Sequence, residues 1–103
     1  MIAIRHKRTG QILHRLDAED LRGADLAGLE LQEARFAGKD VTRANLAGAR
    51  LRGASFRGAE LREANMAGAH LERTYFKGAV YDARTRWPAG FDPQEYGCVR
   101  QEE

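Results

Sequence analysis

The sequence predicts an all-β fold, a β-solenoid wound as a square coil, on three observations. A large apolar residue stands at every fifth position from Leu21 to Tyr81, alanine precedes most of them by two positions, and three phenylalanines are spaced by twenty. The chain of 103 residues is expected to form a single domain. Residues 1–18 would form an N-terminal hairpin cap, 19–83 the solenoid, and 84–103 a C-terminal cap and tail.

The N-terminal segment alternates. Ile2-Ala3-Ile4-Arg5 and Gln11-Ile12-Leu13-His14 read as short strands around the turn Lys7-Arg8-Thr9-Gly10, a β-hairpin placed to cover the N-terminal mouth of the coil.

From Glu19 the chain divides into thirteen fives, among them ADLAG, ARFAG, ANLAG, ARLRG, ASFRG and ANMAG. The third place is always apolar, the first is mostly alanine, and the fifth holds eight of the eleven glycines. On an α-helix, steps of five rotate by about 140°, which scatters the apolar residues around the surface. On a flat strand, five is odd and alternate residues would face opposite sides. Both conflicts vanish if the chain turns a corner once per repeat. Places one and three then point inward, places two and four outward, and four sides close a coil of twenty residues. Stacked coils would share backbone hydrogen bonds at a spacing of about 4.8 Å. Phe36, Phe56 and Phe76 then stack on one side, ring above ring, over about three coils.

Some units depart from the pattern. Leu29 and Thr74 occupy first places and are read as local swellings. Glu19 and Lys39, twenty apart, also fall at inward places; an ion pair at the N-terminal mouth and an irregular coil with both charges outward are equal alternatives. At the far end Trp87, Pro88 and Phe91 are expected to lid the last coil. Asp92-Pro93 starts a helical turn, and Tyr96, Cys98 and Val99 return toward the core. An incompletely covered end would let a monomer become a dimer through a solenoid end.

These blocks resemble the pentapeptide-repeat family, whose pattern is A-(D/N)-L-x-x. The resemblance spans about residues 19–83, and the leading segment and the tail around YDARTRWPAGFDPQEYG are also similar to flanks seen in such proteins. It implies a right-handed quadrilateral β-helix, and most often a protein without known activity. The best-known role in the family, imitation of duplex DNA to inhibit a type II topoisomerase, fits this chain poorly. Imitation needs a long negative rod, whereas three coils span only about 15 Å and the net charge is +2.

Composition excludes several classes. The lone Cys98 allows no internal disulfide, and no apolar run reaches membrane-spanning length, which points to a soluble cytoplasmic protein. No metal or cofactor is expected: His6, His14 and His70 read as solvated surface groups without ligand spacing, and Cys98 as a small buried thiol without a base. No catalytic constellation appears, so the chain is read as non-enzymatic. The outer sides carry the remaining information. One, with Asp20, Asp40 and Glu60 beside Arg22, Arg43 and Arg62, pairs its own charges, and another is flat, with Asn45 over Asn65 as an amide ladder. The only basic concentration lies on the Phe side and its neighbour: Arg35, Arg50, Arg52, Arg57, Tyr75 and Lys77. A scaffold or protein-interaction module of unknown partner is the first reading. Weak nucleic-acid binding through the arginine face, with bases stacked on Tyr75, is the alternative.

Overall fold

The structure, a computed structural model of the chain, describes residues 1–102. Parallel backbone bridges link residues twenty apart along four ladders: Asp25–Asn45–Asn65, Glu30–Arg50–His70, Arg35–Ser55–Tyr75 and Asp40–Glu60–Val80. Each ladder is one side of the coil. We number the sides by their inward residues: side one holds Leu21, Val41 and Leu61, side two Leu26, Leu46 and Met66. Side three holds Leu31, Leu51 and Leu71, and side four Phe36, Phe56 and Phe76.

The backbone accounts for the five-residue period. The third-place N–H donates forward to the next coil, as Leu46 does to Asn65 O at 2.7 Å, and the second-place N–H donates back, as Asn65 does to Ala44 O at 2.9 Å. At the corner the first-place N–H returns to the third-place carbonyl of the preceding unit, as Ala49 does to Leu46 at 3.1 Å. This tight turn requires positive φ at its third residue, which is why glycine recurs there; Gly48 has φ 68°. Four corners do without glycine: Glu33, Arg43, Glu63 and Arg73 all adopt left-handed φ between 57° and 65°. They occupy two diagonally opposite corners, one between sides one and two, the other between sides three and four.

Inside, the leucine and phenylalanine ladders are buried against alanine. The Phe36 and Phe56 rings stack at 4.6 Å and Phe56 on Phe76 at 5.4 Å, nearly parallel in both cases. Each such ring fully removed from water contributes on the order of 2 kcal/mol. Of the thirteen third-place residues from Leu21 to Tyr81, Leu71 alone is not buried.

At the N-terminus β1 (Ile2–Arg5) pairs antiparallel with β2 (Ile12–Leu16). The hairpin then continues along side four: His6 bridges Ala34, Lys7 N donates to Glu33 O and Arg35 N to Arg5 O, both at 2.8 Å. Ile4 is thereby buried over the first coil. Glu19 and Lys39 are both exposed and form no ion pair within 4.0 Å. The outward alternative is therefore the one observed. With Ile2 over the mouth, both charges line its rim beside Leu21 and keep their hydration, which an apolar interior would strip.

The C-terminal end departs from strict periodicity. Asn65 bridges Arg86, an offset of twenty-one, because Asp82–Thr85 adds one residue at the corner. Thr85 then takes the inward small place, buried, with its hydroxyl donating to Leu61 O at 2.9 Å. Thr74, expected to swell the coil, does the same with Leu51 O at 2.9 Å. β3 (Val80–Tyr81) is capped along side one by β4 (Val99–Arg100), parallel to it. Between them Asp92 caps a single 3-10 turn, Pro93–Tyr96, closed by Gly97 at φ 84°. Trp87, Phe91 and Tyr96 stack in series at 5.0 and 4.6 Å, and each meets Phe76 edge-on. Cys98 returns to the interior, whereas Tyr96 and Val99 remain half exposed.

Candidate interaction surface

The outward places differ from side to side in a way the backbone explains. Third- and fifth-place N–H groups feed the next coil and the second-place group feeds the previous one; only the fourth-place N–H is left without a partner in the coil. On sides one and two a second-place oxygen satisfies it. Asp20, Asp25, Asp40, Asn45, Glu60 and Asn65 each accept the N–H two residues on, at 3.0 to 3.3 Å. This is the turn-stabilising bond for which aspartate and asparagine are suited. Asn45 and Asn65 lie in register, but each turns its oxygen to its own backbone, and no amide ladder forms.

Sides three and four give this bond up. Their second places hold Glu30, Arg50 and His70, then Arg35, Ser55 and Tyr75, and only Ser55 reaches its fourth-place N–H, at a stretched 3.5 Å. Apart from Glu30 and Ser55, the residues that replace the turn-forming ones are basic or aromatic and exposed. Arg35, Arg50, Arg52, Arg57, Tyr75 and Lys77 are exposed. No carboxylate lies within ion-pair distance of the five cations among the described residues. By contrast, side one pairs Arg22 with Asp20 at 3.1 Å and Arg62 with Glu60 at 2.9 Å.

The structure brings Arg57 and Tyr75 together, with the guanidinium carbon 5.2 Å from the ring centroid. It adds a residue the sequence reading missed: Lys7, whose ammonium sits 4.3 Å above the same ring and donates to Gly53 O. Arg35 donates to Lys7 O at 3.3 Å, tying the hairpin to this face. Arg8 also arrives from the hairpin, paired to Glu33 at 3.1 Å. Arg73 stands exposed at the corner between the two sides. Nothing local in the sequence places Lys7 or Arg8 here, because the docking of β1 on side four is a long-range event. Arg73 was findable, since it lies twenty residues beyond the corner Gly53. Two cations thus share the Tyr75 ring, which remains 45% exposed.

The histidines divide. His70 and His14 make no side-chain hydrogen bond among the described residues, but His6 Nδ1 accepts the N–H groups of Arg8 and Thr9 at 3.1 and 3.2 Å, organising the hairpin turn. Cys98 is buried, and desolvation pushes its thiol up to about 12, the opposite of an activated nucleophile. Asp82 accepts four hydrogen bonds. Burial pushes it up, but N–H groups of Glu63, Arg84 and Thr85 and the Thr85 hydroxyl outweigh that and hold it below the usual carboxylate range.

Comparison with known proteins agrees with this geometry. The family model for pentapeptide repeats matches residues 41–79 in eight copies. The chain is similar to the pentapeptide repeat protein Rfr23 from the cyanobacterium Cyanothece 51142, at 38% identity and a TM-score of 0.60, over 61% of this chain and 43% of that one. It is also similar to alr5209, a pentapeptide repeat protein from Nostoc Pcc 7120, at 27% identity and a TM-score of 0.51, over 79% of this chain and 75% of that one. The chain thus spans less than half the length of the first of these structures. No curated protein matches it. Residues 41–79 thus match pentapeptide repeats, and the same rungs continue on either side of them from Leu21 to Tyr81.

Proposed function

We propose that the chain is a non-enzymatic interaction module that presents sides three and four to an acidic protein partner. Pentapeptide-repeat proteins are in general scaffolds rather than catalysts, and the filled interior of this coil supports the same reading. The carrying observation is the asymmetry of the second places. Sides one and two use them to complete the backbone; on sides three and four only Ser55 does so, at 3.5 Å, while Glu30, Arg35, Arg50, His70 and Tyr75 complete nothing in the coil. Local structural consistency is surrendered on one contiguous face, and such departures mark functional surfaces. The hairpin and the C-terminal tail act as caps on the two ends and, on the Phe side, the hairpin adds Lys7 to the basic face.

The test is capture from native lysate by the wild-type chain and by the reversal variant Arg50→Glu, Arg52→Glu, Arg57→Glu. A control reverses Arg22 and Arg62 on side one. Loss of the captured protein in the first variant and retention in the second is expected. Equal capture by all three refutes the assignment of the face. Retention of a random oligonucleotide that falls steeply between about 50 and 200 mM salt would favour nucleic acid instead.

A further inference from the structure

The two ends of the coil are closed unequally. At the C-terminal end, side one receives β4, and on side four Gly78 N donates to Gly97 O at 2.9 Å. Side three receives nothing. The N–H groups of Leu71 and Arg73 and the carbonyl of Ala69 have no partner among the described residues. These are the three groups that, one coil earlier, bind the next rung: Leu51 N donates to His70 O, Gly53 N to Glu72 O, and Ala49 O accepts from His70 N, at 2.9 to 3.0 Å. Directly over this edge lies an open groove of about 490 Å³, walled on its far side by Pro88–Phe91 and Tyr96. Leu71, the one incompletely buried member of the core ladder, forms its floor.

We propose that this groove binds an extended segment of a partner protein as an added parallel rung of side three. The backbone chemistry specifies a strand, since only a main chain supplies two carbonyls and an N–H at rung spacing. The floor specifies an apolar residue above Leu71, with a small residue above Ala69. Exposed Arg50, one rung back on the same ladder as His70, favours an acidic residue above His70, while exposed Glu72 two places on disfavours a second one. β4 is the precedent within the chain: Val99 N donates to Ala79 O and Gln101 N to Tyr81 O, a similar addition on the opposite side. A whole second coil is a poor occupant, because the 3-10 turn and the Trp87–Phe91–Tyr96 stack project beyond the last rung and block flush stacking of a second copy. The inference concerns an edge rather than the basic face, and it stands if the basic face proves inert.

The chain itself supplies a probe. A blocked heptapeptide with the sequence of residues 28–34 carrying Leu29→Ala, from a rung that already sits on side three, has leucine in the central place, glutamate before it and the small residue above Ala69. Titrated into ¹⁵N-labelled protein, it is expected to give saturable shifts at Leu71, Arg73 and Phe91, with a midpoint on the order of 1 mM. The same peptide N-methylated at that glutamate, which cannot donate to Ala69 O, is expected to bind about tenfold more weakly. Unchanged Leu71 and Arg73 amides up to about 10 mM peptide, equal binding of the methylated peptide, or protection of those amides by self-association of the free chain would each overturn the proposal.

Discussion

Asn45 Oδ1 accepts the backbone N–H of Ala47 at 3.1 Å, and twenty residues later Asn65 Oδ1 accepts that of Ala67 at 3.0 Å. This local bond completes the only backbone donor that the coil leaves over. It explains why the repeat favours aspartate or asparagine at its second place, and why their absence from sides three and four carries meaning. Asn45→Ala or Asn65→Ala is expected to destabilise the chain by about 1 kcal/mol. Chemical denaturation monitored by circular dichroism measures it, and unchanged midpoints in both variants would contradict the role.

The corners give a second prediction with opposite signs. Gly58 has φ 68° and open space where a Cβ would go, so Gly58→Ala meets only backbone strain and should cost about 1 kcal/mol. Arg73 adopts φ 57° without glycine and holds no ion pair, so Arg73→Gly should stabilise by a similar amount. The same denaturation experiment reads both signs.

Phe56 sits in the middle of the ring stack, fully buried between Phe36 and Phe76. Truncation to alanine removes both ring contacts and leaves a cavity that the rigid rungs cannot close. A loss of roughly 3–5 kcal/mol is expected, against much less for Phe56→Leu. Equal losses in the two variants would show that the retained volume contributes nothing, and would contradict the cavity account.

The two perturbed buried groups respond to pH in checkable ways. Asp82 is held below its ordinary range in the folded chain, so its contribution is present above the unfolded value of about 3.8 and is lost as pH falls through the folded value. Stability should therefore decline on acidification below pH 4, and Asp82→Asn should flatten that decline. Cys98, with its thiol pushed up to about 12, should resist a thiol reagent at pH 8 in the native state and react on unfolding. Rapid native labelling would contradict its burial.

Much of this architecture was legible because the repeat is local and insistent. The inward ladders, the corners and the phenylalanine stack follow from one period, and that period survives every exception at the first place. Three things were not legible. The corner Asp82–Thr85 adds a residue and moves Trp87 over Met66, a shift that only the hydrogen bonds of Asp82 and Thr85 reveal. Glu19 and Lys39 escape the interior because β1 fills the mouth with Ile2 and Ile4. Arg50, Arg52 and Arg57 are exposed, as their outward places require, but Lys7 reaches the same face through docking of the hairpin, which no periodicity encodes.

The central claim is that sides three and four exchange backbone completion for partner contact. The direct measurement is the double variant Arg35→Asn, Arg50→Asn, examined for both stability and capture of the partner protein. Restoring turn-forming residues should raise the denaturation midpoint, by about 1 kcal/mol in total, while capture falls. A variant that is no more stable and captures its partner as well as the wild-type chain would contradict the claim.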